Sequence, residues 1–247
     1  MEKKEWEMID WFVLICIIIP LSIGTYQRNT LWNSELELWK DCVKKSPQKE
    51  RVHHNLGYAY YELGHLDEAQ KEFEEALRLN PRYALSMYNL GLVLYTKGFM
   101  DEAIDFYKKA IDLNPNFPDS LYNLALTYYQ KRLYDQAIKV YQKLSEDKPD
   151  YKNVHNSLGL SYKKLKKWDN AIQAFLKELT YHPENYDALI FLGEIYRELK
   201  AYPMALQYYQ KVLTYPNIPE ADRIRETIAA IERAQKQTRK EDIRWER

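Results

Sequence analysis

Residues 55–81, "NLGYAYYELGHLDEAQKEFEEALRLNP", carry two apolar stripes of helical period in tandem. Leu56, Tyr60 and Leu63 follow the three-to-four spacing of one helical face. After Gly64-His65 the pattern restarts at Asp67, an N-terminal helix signal, and Ala69, Phe73, Ala76 and Leu77 stripe a second helix. Pro81 closes that helix, because proline has no N–H to continue it and biases its predecessor away from helical backbone. Gly57 opposite Ala69 leaves room for two backbones to approach closely. The pattern predicts an antiparallel helix pair, and one such pair cannot bury both its faces alone.

The pattern recurs. Pro47, Pro81, Pro115, Pro149 and Pro183 lie 34 residues apart. The same step carries Leu56-Gly57, Leu90-Gly91, Leu124-Ala125, Leu158-Gly159 and Leu192-Gly193. It also carries Ala69, Ala103, Ala137, Ala171 and Ala205, and the aromatics Phe73, Tyr107, Tyr141, Phe175 and Tyr209. Stacked pairs of equal length bury their second faces on one another and leave a concave and a convex side.

These residues resemble the tetratricopeptide repeat (TPR) over residues 34–217. The resemblance implies an all-α, right-handed superhelical TPR solenoid of antiparallel helix pairs. Residues 28–49 hold a linker and an N-terminal half repeat, with Glu35, Trp39, Cys42 and Pro47 at second-helix offsets. Five repeats follow at residues 50–83, 84–117, 118–151, 152–185 and 186–217. Pro216 arrives one residue early, and a capping helix at residues 218–235 offers Ile224, Ile228 and Ile231 to the last repeat. The charged tail, residues 236–247, is expected to fray or to continue as exposed helix.

A different pattern precedes the repeats. After a flank at residues 1–10, residues 11–27 carry no charge over 17 positions. At 1.5 Å per residue that run is roughly 25 Å, against a hydrocarbon core of ~30 Å. Trp6, Trp11 and Tyr26 supply interfacial aromatics, and Pro20 is tolerated in a membrane span. A transmembrane helix at residues 11–27 is the leading reading. The alternatives are a cleaved signal peptide, whose flank here has more acid than base, and a buried helix covering the half repeat. The junction "TYQRNTLWNSELELWKDCVKKSP" resembles that of multi-pass membrane proteins related to O-mannosyltransferases. That resemblance implies repeats on the extracytoplasmic side of a single-pass membrane protein. No multi-pass catalytic portion accompanies it.

Charge and composition narrow the function. Lys plus Arg equals Asp plus Glu at 36 each, so the cationic excess that phosphate binding needs is missing and nucleic acid is not an expected partner. Cys16 and Cys42 make neither a disulfide framework nor a zinc site. His53, His54, His65, His155 and His182 are scattered, with His53 and His155 at equivalent packing positions. No P-loop, H-E-x-x-H, C-x-x-C pair or Gly-rich dinucleotide turn occurs. The expectation is a protein that is not an enzyme, with no cofactor, no metal and no small-molecule substrate.

In a TPR stack the first helix of each pair lines the inner groove. Spacing assigns that surface His54, Asn55, Tyr58 and Tyr61 in the first repeat, then Tyr88, Asn89, Leu92 and Tyr95 in the second. Tyr122, Asn123, Leu126 and Tyr129 follow in the third. The character then changes to Asn153, Asn156, Lys163 and Lys164, and to Ile190, Phe191, Glu194 and Arg197. Asn55, Asn89 and Asn123 share one offset, and a carboxamide can pair with both the C=O and the N–H of an extended peptide. This ladder resembles the one that holds polypeptides in O-GlcNAc transferases, although asparagine here also braces neighbouring helices. The tyrosines are amphipathic anchors of the kind enriched at binding hot spots. Capture of a chaperone's C-terminal carboxylate is disfavoured, since Asp119 would repel it. The expected ligand is an extended peptide or partner protein held by a membrane-anchored scaffold. The alternatives are an accessory segment of a membrane glycosyltransferase system and a plain spacer.

Overall fold

The computed structural model describes residues 35–245, with side chains described as far as Lys236. The expected membrane span at residues 11–27 lies outside the described residues. Among the described residues there are twelve helices and no strand, and no helix is long and apolar enough to cross a membrane. The chain divides after Asn114 into two compact units. The first holds α1 (Glu35–Lys45), α2 (Glu50–Glu62), α3 (Leu66–Leu79), α4 (Ala84–Thr96) and α5 (Met100–Leu113). The second holds α6 (Pro118–Gln130), α7 (Tyr134–Asp147), α8 (Val154–Lys164) and α9 (Trp168–Tyr181), then α10 (Tyr186–Glu198), α11 (Tyr202–Val212) and α12 (Ala221–Trp245).

The two halves of each pair are joined by one device. His65 N–H donates to the Tyr60 carbonyl at 2.9 Å and Gly64 N–H to that of Tyr61 at 2.9 Å. This is a Schellman motif, which satisfies the last carbonyls of a helix and requires left-handed backbone at the first of the two donor residues. Gly64 (φ 76°) and Gly98 (φ 89°) supply it without steric cost. Arg132, Lys166 and Lys200 adopt the same conformation at φ 62°, 56° and 58° in the second unit.

The turn also corrects a sequence expectation. Helix α3 begins at Leu66, so Asp67 lies in its first turn, and His65 is an N-cap with no side-chain cap bond. The start of α3 follows from the backbone turn, with Asp67 and Glu68 facing the positive end of the helix dipole.

Helix ends follow the prolines. Asn80, Asn114, Lys148 and His182 each close a second helix with ψ between 74° and 91°, immediately before a proline. Where Pro216 comes early, α11 ends at Val212 and has 11 residues against the 14 of α3, α5, α7 and α9.

Packing centres on the aromatic ladder. Phe73 and Tyr107 are wholly buried in the first unit, as are Tyr141, Phe175 and Tyr209 to within 2% in the second. A Cβ on Gly57 would lie 2.9 Å from the Phe73 ring and 3.2 Å from the Ala69 carbonyl. The missing side chain therefore makes room chiefly for the ring, and only secondarily for the facing backbone. Leu63 departs from the expected apolar face: it caps α2 and is 58% exposed, while Ala59 is buried instead. At the far end of the second unit, Ile218, Ile224 and Ile231 pack on Leu189, Ala205, Tyr209 and Val212. Helix α12 runs on to Trp245.

Candidate functional site

Within the first unit, α2 and α4 carry the expected contact residues. Tyr58 is 42% exposed, and its phenol, hydrogen-bonded to Glu62, titrates above the usual tyrosine value. Tyr61, Tyr88, Leu92 and Tyr95 are partly exposed. Three of these converge on Tyr107: its pKa is driven far up by burial first, and then by the neighbouring phenols of Tyr88, Tyr61 and Tyr95. The Tyr88 and Tyr107 ring centroids stand 6.1 Å apart. A patch of aromatic surface with polar tips is thus built over one buried ring.

In the second unit Tyr122 is largely occupied in bracing. Its hydroxyl lies 3.1 Å from Ser157 Oγ, and its ring packs edge-on to Tyr141 at 5.6 Å and against Tyr151 at 5.4 Å. Leu126 and Tyr129 are partly exposed on the same helix. Tyr129 meets Tyr134 edge-on at 5.4 Å, and burial raises its phenol's pKa, with Tyr134 adding to the shift.

The asparagines do not act as one ladder. Asn89 is only 6% exposed. Asn123 donates from Nδ2 to the Asp119 carbonyl at 3.0 Å. Asn55 is partly exposed and, among the described residues, has no hydrogen-bond partner for its side chain. Three carboxamides at one offset therefore meet three environments, because each one's exposure is set by the helices around it.

Three of the five histidines are held by packing and hydrogen bonds between helices and turns. His54, expected on the inner surface, is 5% exposed; its Nδ1 meets Ser86 Oγ at 2.9 Å between the rings of Phe73 and Tyr83. Burial lowers its pKa to about 4. His53 and His155 each place Nε2 3.0 Å from a repeat-closing carbonyl, of Pro47 and Pro149 respectively. Asn156 and Ile190, also expected inward, are 9% and 6% exposed. Among the described residues no cluster of three His, Cys, Asp or Glu is placed to hold a metal.

The second unit has a recess of about 500 Å³ lined by Tyr129, Lys163, Phe191, Glu194 and Arg197, and also by Lys166 and Trp168. Sequence reading passed over the last two, since they sit in a turn and at the start of a second helix. The signal was there in one offset series: Tyr61, Tyr95, Tyr129, Lys163, Arg197 changes from phenol to cation.

Comparison with known proteins agrees with this geometry. A protein O-mannosyl-transferase of Caenorhabditis elegans is 32% identical over 69 residues, 28% of this chain and 10% of the transferase. The chain thus spans about a tenth of the length of that relative. YrrB, described as a TPR protein with an unusual peptide-binding site, superposes with a TM-score of 0.66 at 19% identity, over 77% of this chain and 99% of its own. The pilF protein of Pseudomonas aeruginosa gives 0.66 at 19%, over 85% and 95%. One tetratricopeptide repeat family model matches residues 54–120 and 156–222, and a second matches residues 94–159. The first model alone covers more than half of the chain, over the helix pairs closed by proline and turned by a left-handed residue, and the chain belongs to the tetratricopeptide repeat family.

Proposed function

We propose that the chain is a membrane-anchored TPR scaffold that binds an extended polypeptide or partner protein on its tyrosine-bearing first helices. Residues 11–27 would be the anchor, and the repeats would stand on the extracytoplasmic side. The observation that carries the reading is the surface at Tyr61, Tyr88 and Tyr95, phenols held partly in water around the buried Tyr107, with the exposed Tyr58 on the same helix as Tyr61. Such rings bury large area on contact at low entropic cost and keep a polar tip. The peptide-binding description of YrrB supports the same use of this fold.

Photo-crosslinking tests it. A crosslinking amino acid at Tyr58 or Tyr95 is expected to yield polypeptide adducts in cells, and one at exposed Lys109 on α5 none. Equal labelling from all three sites would remove the tyrosine face from the account. Protease protection of a C-terminal tag on intact cells reports the side.

The transferase match favours a second reading, an accessory segment of a membrane glycosyltransferase system. Unchanged protein glycosylation after deletion would count against it.

A further inference from the structure

The recess in the second unit differs chemically from the tyrosine patch. Three successive rungs of one offset, Tyr129, Lys163 and Arg197, line it together. Its walls hold four cations, Lys163, Lys164, Lys166 and Arg197, against two carboxylates, Glu194 and Glu198. Both carboxylates are already committed. Glu194 pairs with Lys163 and, at 3.4 Å, with Arg223, while Glu198 lies 3.7 Å from Arg197. Among the described residues Lys164 and Lys166 enter no ion pair. The chain as a whole is neutral, so this excess is local and does not reflect a basic protein. Apolar surface adjoins it: Lys163 Nζ stands 4.9 Å over the Phe191 ring, and Leu160 and Trp168 complete the floor.

We propose that this recess holds an acidic segment of the bound polypeptide, carboxylates flanking an apolar side chain. The inference rests on the polypeptide-binding reading and adds a chemical preference to it. Lys164 and Lys166 are exposed, and four cations lining one concave surface focus a positive field that attracts carboxylates more strongly than a single ammonium group does. The apolar floor takes the flanking side chain. The excess is confined to this one recess in a chain with no net charge, too little to neutralise a phosphate backbone, so a short acidic stretch of polypeptide fits better than a nucleic acid.

The test uses the full chain in detergent and two fluorescent peptides, Gly-Asp-Glu-Phe-Glu-Asp-Gly and its amide counterpart Gly-Asn-Gln-Phe-Gln-Asn-Gly. Fluorescence anisotropy is expected to show the acidic peptide binding at least about tenfold tighter at low salt, with the gap closing at high salt. Lys164→Glu with Lys166→Glu should abolish the preference. Lys109→Glu with Lys139→Glu, also exposed, should keep it, with helicity matched by circular dichroism. Equal binding of both peptides would sink the acidic preference and leave the polypeptide reading standing. Binding of neither would sink the recess as a peptide site, and crosslinking from Tyr58 and Tyr95 then decides the polypeptide reading by itself. Displacement of the acidic peptide by a single-stranded oligonucleotide at lower concentration would overturn the proposal in favour of nucleic acid.

Discussion

A buried imidazole with no carboxylate beside it makes a protein sensitive to acid. His54 is such a group: its partner is the Ser86 hydroxyl, and its pKa falls from 6.5 to about 4 in the folded chain. Between those values the unfolded chain takes up a proton that the folded one refuses, so stability is lost as pH falls through that window. At pH 5 the loss from this residue is about 2 kcal/mol. His155, lowered by burial first and then by Lys177, adds in the same direction. Urea midpoints at pH 7 and pH 5 should therefore separate in the wild type and draw together in His54→Phe, which keeps the ring packing and cannot titrate. An unchanged separation would mean that His54 is solvated in acid.

At the scale of elements, the clearest departure from the repeat is Glu178. Its offset holds Ala76, Ala110 and Leu144 in the preceding repeats, yet Glu178 is fully buried. Its Oε2 accepts the Asn156 backbone N–H at 3.0 Å, and its Oε1 accepts Asn185 Nδ2 at 3.0 Å. The N-cap of α8, Asn153, is left-handed and makes no side-chain cap bond. A carboxylate from α9 thus serves the first turn of α8 from outside and favours its positive dipole end. Asn185, where earlier repeats have Tyr83, Phe117 and Tyr151, caps α10 through its Oδ1. Glu178→Ala should cost roughly 2–3 kcal/mol by stranding buried donors. Glu178→Gln, which retains an acceptor, should cost about half that, as read by chemical unfolding; equal costs would mean that volume alone matters.

This cluster marks how far the sequence could be read. Helix limits were legible because prolines and turn residues act locally, within a few positions along the chain. Inward burial of Ala69, Phe73 and their equivalents was legible because a repeat faces its own copy. Glu178 was not, because its partners come from two other helices. The fates of Asn55, Asn89 and Asn123 were hidden for the same reason: one offset fixes a direction, and the neighbours decide what stands there. The tyrosine surface around Tyr107 was named from spacing alone, while the cationic recess needed Trp168 and Lys166, which lie off the first-helix face.

For the whole molecule, the turn geometry sets two demands against each other. Lys166 occupies a backbone conformation natural to glycine and also lines the recess. A non-glycine residue there carries roughly 1 kcal/mol of strain. Lys166→Gly should raise the melting temperature by about 2–4 °C while slackening the hold on acidic peptides. Arg132→Gly, at the same place in its own turn and outside that recess, should toughen the fold with no loss of grip. If both variants melt higher and only the first binds worse, durability has been traded for reception at that single turn, and laboratory selection for heat resistance alone would be expected to erase it.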